Sequence, residues 1–131
     1  MRILSAATLA LTLGMLTAAS AASAASIVGS WSGHGTVRLK SGQVEPVSCR
    51  VSYQKATAGK TFVVNANCAT TAGRFAIYGR ISKRSASSYR GSLFSEQSTL
   101  SGRISISLRG NSQSVSVSNA QGTGRITLSR R

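Results

Sequence analysis

The chain sets sixteen lysines and arginines against two acids, Glu45 and Glu96, with no aspartate, for a formal charge of +14 at pH 7. Its other chemistry-bearing residues are few: one histidine, His34, and two cysteines, Cys49 and Cys68. A Ser-His-Asp arrangement has no aspartate to complete it, and only a glutamate could stand in as the third member. Glu45 and Glu96 are the sole carboxylate pair open to glycosidase work. Glu45 lies in a turn before Pro46, and no pattern brings the two together. Glu96 is instead expected to pair with Arg74. His34, within Gly33-His34-Gly35, falls on a polar strand face and reads as an exposed histidine. One histidine and two glutamates are too few for a zinc or calcium cage. No Gly-x-x-x-x-Gly-Lys loop offers a phosphate cradle. The chain is therefore expected to have no catalytic residue, metal or cofactor, and not to be an enzyme.

The beginning of the chain reads as a secretory signal. Arg2 supplies the positive start, Ile3 to Leu16 is apolar, and small residues follow with cleavage points after Ala22, Ala24 or Ala25. The organisation expected is a signal over residues 1–25 and one β-barrel-like domain over residues 26–131. Export implies an oxidising compartment, so Cys49 and Cys68 read as one disulfide. It would enclose 18 residues and stabilise so small a domain by roughly 3 kcal/mol.

The elements that must position these groups are strands. Apolar and polar residues alternate almost throughout the mature region, rich in Val, Ile, Thr and Ser, with no helical stripe. Eight segments emerge: 30–39, 44–54, 61–69, 73–82, 88–96, 101–109, 113–118 and 125–130. Trp31, Val37, Val47, Cys49, Val51, Tyr53, Phe62, Val64, Cys68, Ile77, Ile81, Tyr89, Leu93, Ile104 and Ile106 fall on inward faces. If Cys49 faces Cys68 in an antiparallel pair, Val51 faces Ala66 and Tyr53 faces Val64. The reversal then falls at Thr57-Ala58-Gly59-Lys60, with glycine where positive φ is tolerated. Short strands, tight turns and no crossover helix predict an all-β antiparallel meander of about eight strands closed into a small barrel, with a β-sandwich as the alternative. Gly33, Gly35, Gly79 and Gly91 are placed to bend strands at barrel corners. Outward arginines argue against a lipid-facing exterior.

The candidate site is the outward face of the fourth to sixth segments: Arg74, Tyr78, Arg80, Arg90, Phe94 and Arg103. A hairpin centred near Ser85 sets Arg80 opposite Arg90, a repulsive pair unless an anion bridges it. Pairing Leu93 with Ile104 sets Phe94 against Arg103, a cation–π contact. Such a face suits phosphate groups or a polyanion, or serves only to keep the barrel soluble. Arg130-Arg131 is either a frayed tail or part of the same field.

The stretch Gly29-Ser30-Trp31-Ser32-Gly33-His34-Gly35-Thr36-Val37, with Cys49-Arg50-Val51-Ser52-Tyr53 and Cys68-Ala69, resembles small exported alphaproteobacterial proteins of unknown function. Gly110-Asn111-Ser112-Gln113-Ser114-Val115-Ser116-Val117 and the arginine-ending last segment are similar to the same group. The resemblance implies a periplasmic or secreted bacterial protein with a conserved disulfide, and carries over no active-site residue. The Gly-x-Trp opening is also similar to lipocalin-like barrels and to small-barrel bacterial metalloprotease inhibitors, without further shared pattern. The leading expectation is a non-enzymatic barrel whose basic outer face binds an anionic envelope component: anionic lipid, lipopolysaccharide or acidic polysaccharide. Nucleic acid would bind only nonspecifically, at low salt. The alternatives are a protein-binding module such as a protease inhibitor, and a carrier for a small apolar ligand in an apolar cavity.

Overall fold

Period-two alternation becomes eight antiparallel strands: β1 Gly29–Leu39, β2 Val44–Lys55, β3 Thr61–Thr70, β4 Gly73–Ser85, β5 Ser88–Ser95, β6 Ser101–Arg109, β7 Ser112–Asn119 and β8 Gly122–Arg130. The computed structural model describes Gly14 and residues 26–57, 59–95 and 101–131. The expected signal over residues 1–25 thus lies outside the described residues, apart from Gly14. Each strand pairs with the next, and β8 returns to β1, so the sheet closes. Closure removes the unpaired edges that an open meander would expose.

The β2–β3 hairpin has the register that the cysteines dictate. Cys49 faces Cys68, Val51 faces Ala66 and Tyr53 faces Val64. The sulfurs form a disulfide across Cα atoms 4.1 Å apart. Gly59 takes positive φ (65°) in the connecting loop. At Gly33, Gly35, Gly79 and Gly91 the neighbouring strand comes so close that a Cβ would overlap the carbonyl oxygens of Thr127, Arg125, Ser92 and Arg80. Only a residue without a side chain lets the sheet curl this tightly.

Two hairpin registers differ from the sequence expectation. β4 continues to Ser85 and carries an irregularity between Lys83 and Ser85, so Ser85 pairs with Ser88. The turn falls at Ala86-Ser87, past Ser85, and the bulge takes one residue of that displacement back, so the register ends two residues from the one expected. Arg80 therefore faces Ser92, and Arg90 faces Ser82. Between β5 and β6, Leu93 pairs with Gly102 rather than Ile104, and Phe94 with Ser101 rather than Arg103. A two-residue shift preserves which side chains point inward and changes only their partners. The expected Arg74–Glu96 pair lies outside the described residues, because Glu96 does.

The core fills one half of the barrel. Trp31, Tyr53, Tyr89, Ile27, Ile81, Ile106 and Leu128 are almost wholly buried there, and the Phe62 ring meets Tyr89 edge-on with centroids 5.6 Å apart. The end is sealed by Arg130. Its guanidinium carbon stands 4.3 Å over the Trp31 ring. Its nitrogens donate to the carbonyls of Val28 and Ser26 and to Asn111 Oδ1. Trp31 Nε1 donates to the Ile27 carbonyl at 2.9 Å. Arg130 is thus a clasp over the barrel floor, neither a frayed tail nor part of an external field. Gly29, at φ 128°, makes room for it: a Cβ there would stand 3.1 Å from Arg130 Nη1.

Candidate functional site

The other half of the barrel is hollow. A cavity of about 440 Å³ opens at the end carrying the β1–β2, β3–β4 and β7–β8 turns. Its wall is apolar, with Val37, Val47, Phe75, Ile77, Val117 and Ile126 inward and the Cys49–Cys68 disulfide beside them. Inward positions that would otherwise fill this space are glycines: Gly102, Gly122 and Gly124. An eight-stranded barrel has an interior just wide enough to be packed solid or to hold one small ligand. Side-chain size decides between those outcomes, and here it decides differently for each half.

The rim is more polar. Thr70, Ser95, Asn119, Gln121 and Thr123 border it, with Leu39 and Phe94 as apolar members. Glu45, on β2 opposite Val37, faces the cavity at the rim. Its Oε1 accepts a hydrogen bond from Gln43 Nε2 at 3.3 Å. Sequence reasoning treated Glu45 only as half of an unpaired carboxylate couple. The missed signal was parity: residue 45 shares the inward face of 47, 49, 51 and 53.

On the floor of the barrel, Gln113 is buried and polar. Tyr53 donates its hydroxyl to Gln113 Oε1 at 2.7 Å. Burial pushes the Tyr53 phenol well above its ordinary range. Tyr89 is also raised, mainly by burial, with a backbone hydrogen bond from Ile27 pulling the other way. These groups support the core and do not reach the cavity wall.

The expected outer-face site divides. Arg80 and Arg103 both pair with Ser92, one on each side of it. Arg90 lies two residues along the same strand, a diagonal neighbour of both, at roughly 7–8 Å between backbones. These three form one cationic cluster, spaced by a serine instead of opposed directly. Tyr78 and Phe94 pair with each other nearer the mouth, where Phe94 is 55% exposed. Phe94 is therefore a rim residue and not a cation–π partner of Arg103. Arg74 lies opposite Ala69 beside the β3–β4 turn, and no described β5 residue faces it. Sequence analysis also missed an outer groove lined by Arg84, Arg90 and the serines at 88, 105, 107, 114 and 116. Its sign was the serine repeat on the outward positions of β6 and β7. His34 is exposed, between Ser48 and Thr127 on the neighbouring strands. Among the described residues no group of three or more His, Cys, Asp or Glu is placed to hold a metal ion.

No protein-family model matches the chain, and no curated protein does. Solved β-barrels do. One is a redesigned beta barrel, 14% identical, with TM-score 0.66, covering 83% of this chain and 95% of its own. A second redesigned beta barrel, solved bound to DFHBI, is 13% identical, with TM-score 0.65 over 79% of this chain and 98% of its own. A de novo designed fluorescence-activating beta barrel is 17% identical, with TM-score 0.61 over 79% and 93%. At such identities the likeness is one of fold.

Proposed function

We propose that the protein binds one small apolar molecule in the open half of its barrel and acts as a carrier. The observation that carries this reading is the hollow itself. A volume of about 440 Å³ walled by valine, isoleucine and phenylalanine lies open at one end. Drug-sized ligands commonly occupy pockets of roughly 300–1,000 Å³ with this kind of lining. Burying the ligand against that wall stabilises the complex by roughly 25 cal/mol per Å² of apolar surface removed from water. The likeness to a redesigned barrel bound to DFHBI supports the same use of the fold. The disulfide in the wall suits an oxidising, extracytoplasmic compartment.

The test is titration with N-phenyl-1-naphthylamine, a neutral apolar dye that brightens out of water. Saturable binding with one dye per chain is expected. Val117→Phe, which fills the hollow, should weaken binding tenfold or more while leaving the far-ultraviolet circular dichroism of the barrel unchanged. Absence of saturable binding to the wild-type chain would end the carrier reading.

A second reading concerns the exterior. The Arg80, Arg90 and Arg103 cluster around Ser92 favours attraction of an anionic envelope component such as anionic lipid, lipopolysaccharide or acidic polysaccharide. Three guanidinium groups so close together repel one another, and a phosphate or carboxylate between them relieves that repulsion. Binding of each polyanion at low ionic strength, falling steeply as salt rises, is the expected result. No binding to any of them at low salt would leave the cluster a solubilising surface.

A further inference from the structure

From the placement of Glu45 we infer that the cavity selects an amphiphile with a cationic nitrogen at one end, such as a long-chain amine. The inference rests on the carrier reading and adds the chemistry of the ligand's head. Glu45 is the one acidic residue among the described residues of a chain with a formal charge of +14, and it faces into the cavity, not outward. It is half-buried at the rim, above a wall of Val37, Val47, Phe75, Ile77 and Val117.

Its surroundings leave it available. The Gln43 amide occupies Oε1 through one hydrogen bond of 3.3 Å. An ionised carboxylate accepts at about four lone-pair sites, so most of its capacity is unused. No lysine or arginine among the described residues forms an ion pair with it. The cations closest in the chain are Lys40, in the β1–β2 turn, and Arg50, exposed on the outer face of β2, with Arg38 opposite Val44 on the outer face of β1. The other rim groups, Thr70, Ser95, Asn119, Gln121 and Thr123, are neutral.

An apolar tail therefore fills the hollow while an ammonium head rests at the water's edge against the carboxylate. At the rim the head keeps part of its hydration, so the desolvation cost that undermines fully buried ion pairs is small. The local site and the whole molecule favour opposite ligands. The overall positive field repels an ammonium and attracts a carboxylate. A preference for the amine would therefore come from Glu45 against the prevailing charge.

Displacement of bound N-phenyl-1-naphthylamine by decylamine, decanol and decanoate at pH 7 tests this. Decylamine should displace the dye at about one-tenth the concentration of decanol, the scale of one charge-assisted hydrogen bond. Decanoate should bind no tighter than decanol. Glu45→Gln keeps size and hydrogen bonding, and should abolish the amine's advantage while leaving decanol unchanged. Equal binding of decanol and decylamine would overturn the inference and leave the carrier reading standing. An amine advantage that survives Glu45→Gln would overturn it as well. Failure of all three to displace the bound dye would overturn the inference too, while the dye's own saturable binding would still uphold the carrier reading.

Discussion

The two halves of the barrel interior are built from the same eight strands and the same alternation, yet one is solid and the other hollow. The closed half receives Trp31, Tyr53, Phe62 and Tyr89, and Arg130 clasps its end. The open half receives valines, isoleucines, one phenylalanine, a disulfide and several glycines. Strand number fixes the girth of a closed sheet. Occupancy then depends on side-chain volume at each level along the axis. The contrast teaches that a single strand pattern encodes both a core that holds the fold and a space free for a ligand.

The largest expected break in that contrast is Trp31→Ala. It removes the biggest buried side chain, the hydrogen bond to the Ile27 carbonyl and the surface on which Arg130 rests. A loss of about 3–5 kcal/mol is expected, the range for deleting a buried aromatic. Val117→Ala, on the wall of the hollow, should cost about 1 kcal/mol or less, because its side chain already borders open space. Urea denaturation of both variants measures the difference. Equal losses would mean that the open half is packed in solution.

Next in size is the disulfide. The Cys49–Cys68 bridge lies in the cavity wall, where packing across the barrel is thinnest. Replacing both cysteines by alanine should cost about 3 kcal/mol by the chain-entropy argument. It should also weaken dye binding, since strands β2 and β3 form part of the wall. If the double variant lost stability but bound dye unchanged, the bridge would serve folding alone, and the open half would be rigid without it.

The barrel was legible in the chain because alternation, cysteine register and glycine corners all act locally. The Cys49 and Cys68 spacing, with Gly59 in the loop, determined one hairpin outright. The β4–β5 register, set by the turn position together with the bulge near Lys83, was not legible, because serine and arginine outside a sheet accept a two-residue shift without penalty. That slip and the separate one between β5 and β6 scattered the expected outer-face site: Arg80 gained Ser92 as its neighbour, and Phe94 paired with Ser101 instead of Arg103. The clasp was half visible. The Gly-x-Trp opening stands out in the sequence, but its partner, Arg130, lies 99 residues further on. Contact across the closing β1–β8 seam leaves no local trace. The hollow was hidden for the same reason. Inward positions can be read one strand at a time, whereas the space between them depends on which residues share a level after closure.

The smallest expected effect sharpens the contrast through titration. Both inward tyrosines, Tyr53 and Tyr89, belong to the closed half, and burial raises both phenols. In the unfolded chain a tyrosine ionises near pH 10. Below that pH the phenol is neutral in both states, and its contribution to stability is fully present. As pH rises past about 10 the unfolded phenol releases its proton while the folded one holds it, so folding loses stability with increasing pH. In Tyr53→Phe one of these titrations is gone. The variant should be less stable at pH 7, by about 1–3 kcal/mol, because Gln113 Oε1 loses its donor inside the core. Its stability should nevertheless fall less steeply than that of the wild type between pH 9 and 11. Identical slopes for the two proteins would show that water reaches Tyr53 and that the closed half is more open than its packing suggests.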